Sequence, residues 1–129
     1  MIKYELNRMV AALCQRAGVK VIGSAGTDEK VAFLKDVLKF DVAFNYKTQS
    51  TDEILKANPF DMYWDNVGGA TLDSALLHIN RGGRLVSCGA ISDYNGANSK
   101  IEHYAQVFKK ELKFEGFIII AHDVEEFYK

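Results

Sequence analysis

Each short apolar run in this chain stops at a polar or glycine-rich tip: Gly23-Ser24-Ala25-Gly26, Asn45-Tyr46, Asp65-Asn66-Val67-Gly68-Gly69 and Cys88-Gly89-Ala90-Ile91-Ser92. Helical periods lie between the tips, so strand, loop and helix alternate across residues 19–95, the order that builds a parallel sheet covered by helices on both faces. In such a sheet a ligand lies across the carboxyl ends of the strands. The row of tips is therefore the expected ligand surface, of a kind that suits a nucleotide, although no Gly-rich turn comes before the first helix.

Two periods compete at the N-terminus. Ile2, Tyr4 and Leu6 alternate as in a strand, while Ile2, Leu6, Met9, Val10, Leu13, Cys14 and Ala17 share one helical face. The helical set is longer, and a strand would put Lys3 and Glu5 on a sheet face that helices should cover. A helix ending at Gly18 is expected. A strand over residues 19–23 follows, then a helix capped by Thr27, with Asp28 and Glu29 in its first turn, running to about Lys39. Further strands are expected at Val42, Ala43 and Phe44, at residues 60–64, at Leu85, Val86 and Cys88, and over residues 114–120 near a sheet edge. Helices are expected over residues 51–57, 70–79 and 101–110, the second of them turning Leu72, Ala75, Leu76 and Ile79 inward. A polar loop spans residues 92–99.

A formal charge of -1 with 26% charged residues lacks the basic excess of a nucleic-acid binder. No apolar run reaches the roughly 20 residues that cross a bilayer, and Lys3, Glu5, Asn7 and Arg8 interrupt any signal-like stretch. A cytoplasmic protein without nucleic-acid or membrane partners is expected. Cys14, Cys88, His78, His103 and His122 are scattered, without metal-ligand spacing, so no metal is assigned. No paired carboxylates, Ser-His-Asp arrangement or Cys-His pair offers a mechanism of its own.

Five blocks in order, V-K-V-I-G-S-A-G-T-D-E-K-V (19–31), F-D-V-A-F-N-Y-K-T (40–48), W-D-N-V-G-G (64–69), G-G-R-L-V-S-C-G-A-I-S-D-Y-N (82–95) and L-K-F-E-G-F-I-I-I (112–120), closely resemble one family. It is the prostaglandin reductase, or leukotriene hydroxydehydrogenase, branch of the medium-chain dehydrogenase/reductases. The resemblance implies a zinc-free, NADPH-dependent reducer of the carbon-carbon double bond in α,β-unsaturated ketones and aldehydes, acting on a small-molecule enone or enal. It spans residues 9–120. Members of the family carry an N-terminal catalytic domain and a first strand ending in an Ala/Gly-rich phosphate loop, and the resemblance starts inside the first helix. Lys39 stands where the family usually has a helix-ending glycine.

The fold class that follows is α/β: residues 1–129 as an incomplete Rossmann domain, a doubly wound parallel sheet lacking its central first strand. An NAD enzyme of this topology places a carboxylate at the tip of its second strand, where it would repel a 2'-phosphate. The tip at Ser24 has none, and Lys30 sits in the first turn of the next helix, so NADP is the expected cofactor. By resemblance, Lys30 and Tyr46 contact the 2'-phosphate and adenosine. The residues alone allow equally that Lys30 is a solvated helix lysine and Tyr46 a rim aromatic. The Asn66 amide suits ribose or phosphate oxygens, or caps a helix, while Gly68 and Gly69 let backbone approach closely. Cys88, Gly89, Ala90, Ile91, Ser92 and Tyr94 resemble the segment under the nicotinamide ribose, and Phe117, Ile118 and Ile119 the stretch facing the nicotinamide; packing roles remain open for Tyr94 and for these apolar residues. No catalytic residue is assigned.

Losing about five buried apolar residues of a central strand, at roughly 1.5–3 kcal/mol each, would cost about 8–15 kcal/mol, comparable with a domain's whole stability. The isolated chain is thus expected to be marginal and a weak dinucleotide binder. The alternative is an inactive interaction or oligomerisation module, pairing through the strand that begins at Phe114.

Overall fold

A computed structural model gives the structure of residues 2–90 and 100–118, and the positions expected of Ile91, Ser92, Tyr94 and Ile119, as well as the loop over residues 92–99, lie outside the described residues. The chain divides into two compact units, Met1–Ser50 and Thr51–Lys129.

In the first unit, α1 (Ile2–Arg16) is a helix, as its longer period predicts. Gly18 takes the left-handed conformation at φ 74°, and the Val19 N–H reaches back to the Cys14 carbonyl at 2.9 Å, closing the helix end. That bond consumes the residue where a strand was expected to start. β1 is instead Ile22–Ala25, extending through the supposed tip, and pairs in parallel with β2 (Val42–Asn45) in the register Ile22↔Val42 to Ala25↔Asn45. The helical face of α1 also divides differently from its apolar pattern: Ala11 is buried while Met9 and Leu13 are exposed. Gln15 does the tying, its Nε2 donating to the carbonyls of Leu38 at 2.7 Å and Lys39 at 3.1 Å.

Those carbonyls belong to the end of α2 (Asp28–Asp36), which stops before the expected Lys39. The N–H groups of Val37 and Leu38 share the Phe33 carbonyl, and Lys39 turns left-handed at φ 56°. A β-carbon is crowded there, whereas glycine is not. Lys39→Gly is expected to stabilise the protein by about 0.5–1 kcal/mol, net of the greater freedom of the unfolded chain. A raised urea midpoint at unchanged slope checks this.

The second unit contains α3 (Thr51–Ala57), β3 (Met62–Asp65), α4 (Gly69–His78), β4 (Arg84–Ser87), α5 (Gln106–Lys109) and β5 (Lys113–Gly116). Its strands form one parallel sheet in the order β3-β4-β5. Leu72, Ala75, Leu76 and Ile79 are all buried, as the period of α4 predicts. With Leu85 and Leu112, three of them form a core cluster that Phe60, Tyr63, Ile101 and Val107 surround. Asp52 joins α3 to α4, its Oδ1 lying 3.2 Å from Ser74 Oγ and 2.7 Å from His78 Nε2.

The helix expected over residues 101–110 shrinks to α5. The His103 N–H donates to Asp73 Oδ1 at 2.7 Å and its Nδ1 lies 2.6 Å from Asp73 Oδ2, so this backbone is committed to α4 rather than to a helical ladder. Lys110 Nζ caps the other end of α4 through the carbonyls of Leu77 at 2.7 Å and Ile79 at 2.8 Å. Of the strand expected over residues 114–120, β5 holds residues 114–116, where the ladder ends among the described residues; residues 119 and 120 lie outside them. β5 does lie at an edge, pairing only with β4 among the described residues.

The fold class is α/β, a partial Rossmann domain. The run β2-β1 corresponds to strands 3-2 of the order 3-2-1-4-5-6, and β3-β4-β5 to strands 4-5-6; no described strand takes the place of strand 1. Among the described residues no helix is long and apolar enough to cross a membrane.

Candidate cofactor site

In the first unit the ladder of β1 and β2 ends level, Ala25 opposite Asn45, and the Tyr46 N–H extends it by one bond to the Ala25 carbonyl at 3.2 Å. The chain leaves β1 through Gly26 and enters α2 at Thr27, whose extended backbone and side chain make the expected N-cap: Oγ1 accepts the Lys30 N–H at 3.3 Å. These tips enclose an open groove of about 230 Å³ lined by Ser24, Ala25, Gly26, Thr27, Lys30, Tyr46 and Lys47. Ser24, Lys30 and Tyr46, singled out from the sequence, are therefore brought together. A β-carbon on Gly26 would sit 2.7 Å from the Tyr46 hydroxyl, so a larger residue there would displace the Tyr46 side chain.

No carboxylate lines the groove, and two lysines do. The nearby Asp28 is engaged by the Asn45 amide, Nδ2 to Oδ1 at 2.8 Å. A helix N-terminus, two ammonium groups, the hydroxyls of Ser24, Thr27 and Tyr46 and an aromatic rim make a donor set for an anionic, flat ligand. The residues present thus fit the phosphorylated adenosine end of NADP. Thr27 and Lys47 were not among the residues singled out for the site: Thr27 reads first as a cap, and Lys47 shows its relevance only by standing one residue past Tyr46 in the same turn.

In the second unit the carboxyl ends of β3, β4 and β5 are also level, Asp65 opposite Ser87 and Ser87 opposite Gly116. The Cys88 N–H donates to the Asp65 carbonyl at 2.7 Å and the Phe117 N–H to the Ser87 carbonyl at 2.8 Å. Asn66, Cys88 and Phe117 therefore leave the sheet side by side. Gly89 and Ala90 follow Cys88 as half-buried residues, Ile118 is exposed, and the Phe117 ring lies 5.7 Å from that of Trp64.

Asp65 organises this edge, a role that its place in a D-N-V-G-G run does not disclose. Its Oδ1 accepts the N–H groups of Val67 at 3.1 Å and Gly68 at 3.0 Å, folding the loop that carries Asn66 into the start of α4. Gly68, at φ 71° and ψ -158°, holds a conformation closed to other residues. Burial holds the Asp65 carboxyl above its ordinary range against the opposing pull of those two bonds. Burial, helped by the Asp65 charge, also pushes the Cys88 thiol up to about 11, so Cys88 is a neutral packing thiol at pH 7 and not a nucleophile.

Residues 8–129 match the zinc-binding dehydrogenase family. Prostaglandin reductase 1 of Mus musculus is 45% identical over 120 residues, which cover 88% of this chain and 36% of that protein. The NADP-dependent oxidoreductase RED1 of Cochliobolus heterostrophus is 40% identical over 125 residues, covering 92% of this chain and 36% of that protein. The crystal structure of CurA in complex with NADPH from Vibrio vulnificus superposes with a TM-score of 0.79 at 37% identity, covering 94% of this chain and 38% of that one. The chain thus spans little more than a third of the length of these relatives. Although the family is described by zinc, no three His, Cys, Asp or Glu side chains gather into a metal site among the described residues, so these residues do not fit one. Five ordered sequence blocks, level strand tips and a match across nearly all its residues converge: the chain belongs to the zinc-binding dehydrogenase family and is similar, within it, to prostaglandin reductase 1.

Proposed function

We propose that this chain forms the NADP-holding part of an NADPH-dependent oxidoreductase that reduces the carbon-carbon double bond of α,β-unsaturated ketones and aldehydes. The observation that carries the reading is the first-unit groove, where Lys30 and Lys47 meet hydroxyl and aromatic side chains without a carboxylate. The names of the relatives add support: one is an NADP-dependent oxidoreductase, one a prostaglandin reductase, and one was crystallised with NADPH.

When bound, the cofactor supplies the hydride. Ser24, Lys30 and Tyr46 hold its adenosine end, Lys30 facing the 2'-phosphate. At the second unit's strand ends Asn66 takes ribose or phosphate oxygens, and Cys88, Gly89 and Ala90, with Ile91, Ser92 and Tyr94, underlie the nicotinamide ribose. Phe117, Ile118 and Ile119 present backbone to the nicotinamide. The substrate is a small enone or enal, and the two free cysteines suit a cytoplasmic setting. Assembly with a second copy would use the edge of β5 that is unpaired among the described residues, where Phe114 is exposed.

Fluorescence titration with NADPH tests the reading. Lys30→Ala is expected to weaken binding roughly tenfold, the scale of one charge-assisted contact to phosphate. Wild-type binding no tighter than that of the variant would overturn it.

A further inference from the structure

β2 ends at Asn45, and the chain then turns through Tyr46 and Lys47 beside the first turn of α2. Asn45 is 6% exposed and is the hub of this turn. Its Oδ1 accepts the Lys47 N–H at 3.0 Å, and its Nδ2 donates to Asp28 Oδ1 at 2.8 Å. Its own N–H donates to Gln49 Oε1 at 3.2 Å, while its carbonyl accepts the N–H groups of Thr48 at 3.2 Å and Gln49 at 2.8 Å. This bonding fixes where the turn lies against α2. It also turns the Asp28 carboxylate to an amide donor.

The consequence falls on Lys47. A β-carbon on Gly26 would lie 3.3 Å from Lys47 Cε, so the lysine stem runs against glycine backbone, along the wall of the groove it shares with Lys30. A phosphate monoester carries close to two negative charges at neutral pH. One ammonium leaves the second charge to water, whereas two ammonium groups in one groove match it. An adenosine bearing only a 2'-hydroxyl offers nothing to the second ammonium, so this lysine acts on the difference between the two ligands and not on adenosine binding as such.

We infer that Lys47 is a specificity-determining residue, the second cation that selects a 2'-phosphorylated adenosine over an unphosphorylated one, held in place by the Asn45 hub. The inference rests on the cofactor reading above and adds to it a residue outside the set that the family resemblance supplies.

The test uses 2',5'-ADP and 5'-AMP as probes, titrated into the 129-residue chain and its variants by calorimetry, with no turnover needed. Lys47→Met is expected to lower the preference for 2',5'-ADP over 5'-AMP about tenfold, and Lys47→Arg to keep most of the preference. Raising the salt to about 0.5 M should shrink the wild-type preference more than that of Lys47→Met, since exposed charges are screened. If Lys47→Met keeps the wild-type preference while Lys30→Ala loses it, the role of Lys47 is overturned and the cofactor reading stands. If wild type shows no preference, both fall.

Discussion

Leu76→Ala is expected to cost about 2–5 kcal/mol and to leave much of the second unit unfolded under conditions where the wild-type chain is native. Leu76 is 0% exposed, at the centre of the cluster that Leu72, Ile79, Leu85 and Leu112 complete. Truncation removes its transfer free energy and leaves a cavity, and the neighbours cannot all close on it because they stand on three different segments: α4, β4 and the loop before β5. The same cluster holds the sheet whose ends carry Asn66, Cys88 and Phe117, so the nicotinamide half of the proposed site should be lost with it. Urea denaturation followed by circular dichroism checks the loss. Leu13→Ala is the matched control: Leu13 belongs to an equally regular apolar stripe but is 62% exposed, and its truncation should change stability by no more than about 0.5 kcal/mol. Equal losses for the two variants would show that this cluster is not what stabilises the unit.

Leu13 and Leu76 also mark how far periodicity reaches in this chain. It gave both helices, and for α4 it gave the buried face residue by residue, because a sheet face and Leu112 cover that stripe. For α1 it gave the helix but not its contacts. There the fixing groups are the polar Gln15, bonded to the end of α2, and Arg8, whose guanidinium stands 5.8 Å from the centre of the Phe33 ring. Hydrophobic spacing carries no information on such polar ties. The shortened α5 has the same origin: the Asp73 clamp on His103 joins residues 30 apart in sequence, and no window of local propensity contains both.

The candidate site was readable where a residue's type declares its chemistry. Ser24, Lys30 and Tyr46 stand at strand tips and in a helix first turn, and the structure puts them in one groove. Asn45 and Asp65 act instead through bonds to backbone a few residues away, so in the sequence they look like ordinary turn formers. Their effect on the site is indirect, through the loops they fold.

Asp65 gives the clearest pH-dependent consequence. It is 1% exposed, and its two oxygens meet opposite fates: Oδ1 accepts two backbone N–H groups, while Oδ2 is buried with no hydrogen-bond partner among the described residues. Burial of an ionised carboxylate in that position costs more than the two backbone N–H groups and the neighbouring Tyr63 hydroxyl recover, which is why its ionisation is shifted upward. In the unfolded chain the group ionises in its ordinary range, and in the native protein it keeps its proton to higher pH. Between those two limits the native state binds more protons, so stability falls as pH rises through the window and the loss is complete above the native value. Asp65→Asn keeps an oxygen for Val67 and Gly68 and cannot ionise. It is expected to be more stable than wild type at pH 8 by about 1–3 kcal/mol, with the advantage nearly gone near pH 3.5, where most of the wild-type carboxyl is protonated in both states. Asp65→Ala at that same low pH should instead be less stable than wild type by about 1–3 kcal/mol, because two buried N–H groups lose their acceptor. Urea midpoints of the three proteins across this pH range decide the matter: an asparagine variant that gains nothing at pH 8 would mean that Oδ2 is solvated in solution, and an alanine variant as stable as wild type at pH 3.5 would mean that the loop holding Asn66 does not depend on Oδ1.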